Sequence, residues 1–144
     1  MAEICLKFVI GIVLLSCGLQ DMLKKKVYLW LLIAGGIVTI ICLPFCDNIS
    51  LVGRIVGAAV GVFVILLSLM TGGKIGIADG ILLCITGLGL GFWGNVELFC
   101  LALLLAAGLS MALLVMRKVS RRTSLPFIPF MFAGYIIITL AGLS

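Results

Sequence analysis

Thr71-Gly72-Gly73-Lys74-Ile75-Gly76-Ile77-Ala78-Asp79-Gly80 separates two long apolar runs. It is rich in glycine and carries a lysine and an aspartate, in a chain with only 5 acidic residues. The flanking runs are continuously apolar rather than alternating, which excludes a membrane β-barrel and predicts helices crossing a bilayer. A polar stretch between two such helices puts a carboxylate at the mouth of the second. One other aspartate, Asp21, falls on the same side by the count of spans, and the rest of the chain reads as the scaffold that brings Asp21 and Asp79 together.

Composition supports this reading. The chain has 144 residues, 65% of them hydrophobic, with a mean hydropathy of +1.47. A soluble domain of this size cannot hide that much apolar surface. The expected fold is an all-α integral membrane protein, a bundle of about six transmembrane helices. Residues 1–144 form one domain, with no room for a separate soluble one. The first run has little basic n-region and no small-residue cleavage site, so it is expected to stay as a span. The net charge of +5 comes from lysines and arginines in short loops, which speaks for membrane topology and against nucleic acid. The chain has no histidine, and its 6 cysteines are scattered with no CxxC pair. They read as small buried apolar residues, and neither a metal nor a cofactor is expected.

Along the chain the spans are expected at residues 4–23, 27–42, 51–70, 79–92, 96–116 and 125–143. Lys24, Lys25 and Lys26 follow the first span and mark a cytoplasmic loop. Tyr28 and Trp30 suit the interface after it. The turn holding Pro44 and Asp47 has no base and is placed outside. Gly53, Gly57 and Gly61 recur every four residues in the third span, a stripe that permits close helix approach. Arg54 is expected to snorkel to the outer interface. Gly94, Asn95, Val96 and Glu97 form an outer turn. Arg117, Lys118, Arg121 and Arg122 are a second inside marker, expected to meet lipid headgroups. Pro126 and Pro129 suit the opening turn of the last helix. Three inner loops then hold eight of the 10 bases, both termini lie outside, and Asp21 and Asp79 lie at the inner surface. The other acids, Glu3, Asp47 and Glu97, fall at outer positions.

Two carboxylates about a water molecule apart cannot both ionise easily. One keeps a proton while the other acts as base, so the pair can activate water and protonate a leaving amine. That is peptide hydrolysis without a metal. Each acid also has a plainer use. Asp79 could cap the helix it precedes, and Asp21 could pair with Lys24 or Lys25 across a helix turn. Gly72, Gly73, Gly76 and Ala78 are small enough to leave backbone room for an extended substrate beside Asp79, or merely to permit tight turns.

The order of these features resembles the type IV prepilin peptidases and the preflagellin peptidases, membrane aspartyl proteases with a glycine–any–glycine–aspartate motif. Asp21 closes the first span ahead of a basic loop, as in that family. Gly76-Ile77-Ala78-Asp79 resembles the second-aspartate motif, with Ala78 where the family has its second glycine. Leu125-Pro126-Phe127-Ile128-Pro129-Phe130 looks like the family's opening of the last helix. Val27-Tyr28-Leu29 stands where isoleucine–proline–asparagine is common, and Ile81 where a lysine is common.

The resemblance implies a minimal prepilin-type aspartic endopeptidase of the cell membrane, multi-pass, without the CxxC-bearing methyltransferase region. Asp21 and Asp79 would be catalytic, with Gly72, Gly73, Gly76 and Ala78 at the substrate. The partner would be a prepilin-like precursor with a short basic leader, cut after a glycine at the cytoplasmic face. The oligomeric state is left open. Two rivals stand beside this: a non-catalytic relative that scaffolds pilus or secretion assembly, and a small transporter using the acids as proton carriers. The second would need acids deeper in the spans.

Overall fold

The computed structural model describes residues 2–24, 26–46, 49–72, 76–116 and 126–142. Among them the regular structure is helical. It comprises α1 (Ala2–Lys24), α2 (Leu29–Cys42) running into a 3-10 turn at Leu43–Phe45, α3 (Leu51–Met70), α4 (Ile77–Val115) and α5 (Ile128–Ala141). Helices α1, α3 and α4 are long and apolar enough to cross a membrane, while α2 and α5 are shorter and equally apolar. Large apolar side chains stand outward, with Trp30, Met70 and Leu140 each more than four-fifths exposed. Lipid, which competes for no hydrogen bonds, suits such an exterior and such closed helical backbones. The chain folds as a membrane-embedded helical bundle.

Each helix packs through a small residue on one side of the contact. A methyl group on Gly35 of α2 would lie 2.7 Å from Val13 of α1. The closest approach is between α3 and α4. A methyl on Gly57 would stand 2.5 Å from the Gly87 carbonyl oxygen, and one on Gly61 would stand 2.6 Å from the Gly80 carbonyl oxygen. These two helices therefore touch backbone to backbone, which only glycine permits. The stripe expected from the sequence holds at Gly57 and Gly61. Gly53 instead faces its own helix start, with Ser50 Oγ and Ile49 as nearest neighbours. Ser50 caps α3 by accepting the Gly53 N–H at 3.1 Å, the usual duty of a serine at that position.

Helix α4 holds the main departure from the expected spans. It runs 39 residues but is broken at Gly91, whose φ of 74° and ψ of −175° lie outside helical values. The side-chain amide of Asn95 donates to the Leu83 carbonyl at 2.9 Å, although the two are 12 residues apart. In a straight helix they would be separated by ~18 Å. The chain therefore folds back at Gly91, and residues 77–90 and 92–115 are two arms. The reversal falls earlier than the expected turn at Gly94–Glu97, because positive φ is available to glycine at little cost and Gly91 has it. Asn95 is fully buried. It also donates to the Gly57 carbonyl at 2.9 Å and accepts from Thr86 Oγ1 at 2.7 Å. One side chain thus ties both arms of α4 to α3.

Arg54 does not snorkel. It is 5% exposed, and its guanidinium donates to the carbonyls of Ile49 at 3.2 Å, Leu88 at 3.3 Å, and Cys46. Leu88 sits among the last carbonyls before the break at Gly91, groups that a helix end leaves without intrahelical donors. The fork of donors on arginine serves three carbonyls at once, so burial is preferred to reaching for the interface.

Candidate active site

Helix directions decide which ends meet. Helices α1 and α5 run antiparallel. Gly18 of α1 lies against Pro129, with ordinary contact at 3.6 Å, and Gly11 lies against Tyr135. The Tyr135 hydroxyl donates to the Lys7 carbonyl at 2.6 Å. Helices α3 and α4 also run antiparallel, since Gly57 meets Gly87 while Gly80 meets Ile65. Helix α2 runs antiparallel to α1, with Tyr28 at Gln20 and Gly35 at Val13, and parallel to the first arm of α4, with Gly36 at Ile85 and Thr39 at Gly89, so the start of α4 lies toward the end of α1. The last turn of α1 and the first turns of α4 and α5 thereby gather at one end of the bundle.

Asp79 sits in the first turn of α4. It is not the cap of that helix. Gly76 occupies the cap position with no side-chain bond, and the Asp79 N–H returns to the Gly76 carbonyl at 3.2 Å. A carboxylate in the first turn is favoured by the helix dipole. Its carboxylate is folded back against Gly76: a methyl on Gly76 would lie 2.7 Å from Asp79 Oδ2. Asp79 is half-buried.

Asp21 lies in the last turn of α1, also half-buried. Its carboxylate lies beside the main chain of Ile128, the first residue of α5. It is near enough to Asp79 for its charge to act on that group. The alternative pairing with Lys24 is not made, because the Lys24 amine donates instead to the Tyr28 hydroxyl at 3.0 Å and lies 5.1 Å over its ring. Hydrogen bonding from Lys24, followed by the charges of Lys24 and Lys26, holds the exposed Tyr28 phenol below the usual tyrosine range. The Tyr28 N–H donates to Gln20 Oε1 at 3.3 Å, which fixes the corner between α1 and α2.

The small residues expected near the substrate are distributed as follows. Gly72 is exposed, has a φ of 68°, and has open space around it. Gly76 is exposed beside the Asp79 carboxylate. Ala78 is half-buried and packs against the core. Gly73 and Lys74 lie outside the described residues, as do Lys25, Asp47 and residues 117–125. The nearness of Ile128, at the start of α5, to Asp21 is not legible in the sequence. An apolar groove of about 480 Å³ between α1 and α5, lined by Phe8, Ile12, Phe132 and Ile136 among others, is a separate feature that neither aspartate lines.

The structure therefore places two carboxylates from residues far apart in sequence at helix ends on one end of the bundle, near enough for the charge of Asp21 to act on Asp79. Two acids close enough to share a proton can work on water between them. No protein-family model, curated protein or solved structure matches this chain.

Proposed function

We propose that this protein is a membrane aspartyl endopeptidase that removes short basic leaders from prepilin-like precursors at the cytoplasmic face of the cell membrane. The observation that carries the reading is the meeting of Asp21 and Asp79 at one end of the bundle. The resemblance of Gly76-Ile77-Ala78-Asp79 and of the last helix opening to the prepilin peptidases supports it. In this reading the chain crosses the membrane six times, with the two arms of α4 as separate spans and both termini outside. Lys24 and Lys26 then lie on the cytoplasmic side with the aspartates, in keeping with the positive-inside rule.

One aspartate, ionised, takes a proton from water as the water oxygen adds to the scissile carbonyl carbon. The other, neutral, gives its proton to the carbonyl oxygen. The tetrahedral gem-diol then collapses: the aspartate that took the water proton gives it to the amine nitrogen, the other aspartate takes a proton from a gem-diol hydroxyl as the carbonyl re-forms, and the C–N bond breaks, which restores the starting protonation of the pair. The pair titrates as a unit. The bare Gly76 beside the Asp79 carboxylate leaves room there for an extended peptide backbone.

The alternative is a non-catalytic subunit that scaffolds pilus or secretion assembly, favoured by alanine at the motif's second glycine. Co-expression with a tagged precursor bearing a basic leader, a glycine and a following hydrophobic helix tests the two readings. Wild type is compared with Asp21→Asn and Asp79→Asn, with membrane levels checked for each. Asparagine keeps the size and shape of aspartate, so Asp21→Asn removes the acid with little other change. Loss of the leader with wild type alone is the expected result. Cleavage by either variant removes the two-aspartate mechanism.

A further inference from the structure

We infer that the groove between α1 and α5 is a binding site for one anionic phospholipid, with an acyl chain in the groove and the phosphate at Lys7. The site lies at the end of the bundle away from the aspartates and is independent of the peptidase reading.

The groove arises because the two helices part. At Gly18 of α1 the neighbour is the main chain of Pro129, 3.6 Å from where a methyl would stand. Two turns back, at Gly11, the neighbour is the ring of Tyr135 at 3.4 Å. The axes have moved apart by the width of a side chain, and the gap stays open toward the start of α1. The Tyr135 hydroxyl, bonded to the Lys7 carbonyl at 2.6 Å, holds the ring there as a spacer. What is left is a groove of about 480 Å³, walled by Phe8, Ile12 and Leu15 of α1 and by Phe132 and Ile136 of α5. Thr139, on the same wall, turns its hydroxyl back to the Tyr135 carbonyl at 2.8 Å, so the wall is apolar. Lys7 is the charged residue among the described residues that line it.

Depth, length and charge select the occupant. Ile10, in the next turn of α1, abuts Gly89, which puts Lys7 level with the reversal at Gly91, at one edge of the bundle. A lysine at that depth lays its stem on apolar surface and holds its ammonium among headgroups. From Lys7 to Leu15 the helix rises ~12 Å, against ~15 Å for half of the hydrocarbon core. The groove is thus one leaflet deep. A partner helix that spans the bilayer would need twice that depth, and Gly18 and Pro129 close the groove first. An ammonium has three donors, so Lys7 can serve a phosphate oxygen alongside another acceptor. Its charge favours a headgroup with net negative charge over a zwitterionic one.

The test titrates full-length protein in detergent micelles with dioleoyl phosphatidylglycerol and, separately, with dioleoyl phosphatidylcholine. The two share their chains and differ in headgroup. Native mass spectrometry reads the apparent Kd of the first bound lipid. Lys7→Gln removes the charge. Ile12→Trp fills the groove from an exposed position. Lys26→Gln, at an exposed site outside the groove, is the control for charge in general. Ile136→Trp, from the opposite wall, takes the place of Ile12→Trp if that variant does not fold.

Wild type should bind phosphatidylglycerol about fivefold more tightly than phosphatidylcholine, the effect of one lysine near an anionic lipid. Lys7→Gln should lose that preference, Ile12→Trp should weaken the binding of both lipids, and Lys26→Gln should match wild type. Equal affinity of wild type for the two lipids overturns the inference. So does a preference kept by Lys7→Gln, an equal loss in Lys26→Gln, or unchanged binding to the groove-filling variant. A wild-type dimer that Ile12→Trp dissolves assigns the groove to a second copy of the chain and overturns it as well.

Discussion

Asn95 donates its side-chain amide to the carbonyl of Leu83, 12 residues back along the same helix, and this bond exists because the chain reverses at Gly91. The same amide serves Gly57 of α3. Asn95→Ala removes both bonds and costs Thr86 the shorter of its two acceptors, leaving it the Leu83 carbonyl at 3.3 Å. Buried polar contacts in membrane proteins contribute about 0.6 to 1.7 kcal/mol each. The variant should lose about 1–3 kcal/mol of stability, read as a lower midpoint in thermal or denaturant unfolding in detergent. Asn95→Asp should be worse, because it replaces the donor by a buried acceptor.

The contact between α3 and α4 makes a sharper contrast among glycines. Gly61→Ala puts a methyl group into the backbone of Cys84 and Gly80. Backbone cannot yield as a flexible side chain does, so the helices must part, and the cost should reach about 2–3 kcal/mol or more. Gly108→Ala meets nothing within 4 Å and should be neutral or slightly stabilising, since alanine is the better helix former. Parallel unfolding of the two variants checks the difference. Equal stability would mean that α3 and α4 are not packed backbone to backbone.

Gly76→Ala separates chemistry from stability. The backbone there has φ −65° and ψ 123°, which alanine adopts readily, and the residue is exposed. Its methyl would stand 2.7 Å from Asp79 Oδ2, so the carboxylate must turn away. Stability should change by about 1 kcal/mol or less, while precursor cleavage should fall tenfold or more, given how steeply rate depends on placement of reacting groups. Cleavage at the wild-type rate would show that the observed Asp79 orientation is not the working one.

Arg54→Ala deprives three carbonyls, of Cys46, Ile49 and Leu88, of their donor. Buried acceptors left bare are costly, and a loss of about 2–4 kcal/mol is expected. Arg54→Lys should recover only part of it, because an ammonium on a flexible stem cannot reproduce the fork. The ordering wild type, lysine, alanine in unfolding midpoint is the measurement. It bears on the turn before α3 and the reversal at Gly91 and should leave the aspartates untouched.

Where the sequence could be read, it was read through polarity. Residues 51–70 were legible to the residue as α3, because an apolar run between Ser50 and Thr71 has capping residues at both ends. Asp21 and Asp79 stand out in the sequence because acids are rare in the chain, and their place at one end of the bundle follows from the helix order. Arg54 and Asn95 were misplaced for the converse reason: a hydropathy count moves polar groups outward, whereas a bundle with bare carbonyls at a broken helix draws donors in. Asn95 carried a usable signal, since it shares a buried stripe with Leu98 and Ala102 at helical spacing. The nearness of the Ile128 main chain to Asp21 is a relationship between helix ends, which composition cannot reveal.

The reversal at Gly91 also bears on how the chain enters its bilayer. Helical structure continues almost up to the glycine and resumes directly after it, so no hydrophilic loop has to be carried across between the two arms. In a six-span topology, residues 77–115 would leave the ribosome and partition into lipid as one hairpin, already clamped by Asn95 to Leu83. Asp79 would then reach its final depth when the hairpin inserts, and would wait there for α5 to arrive beside Asp21.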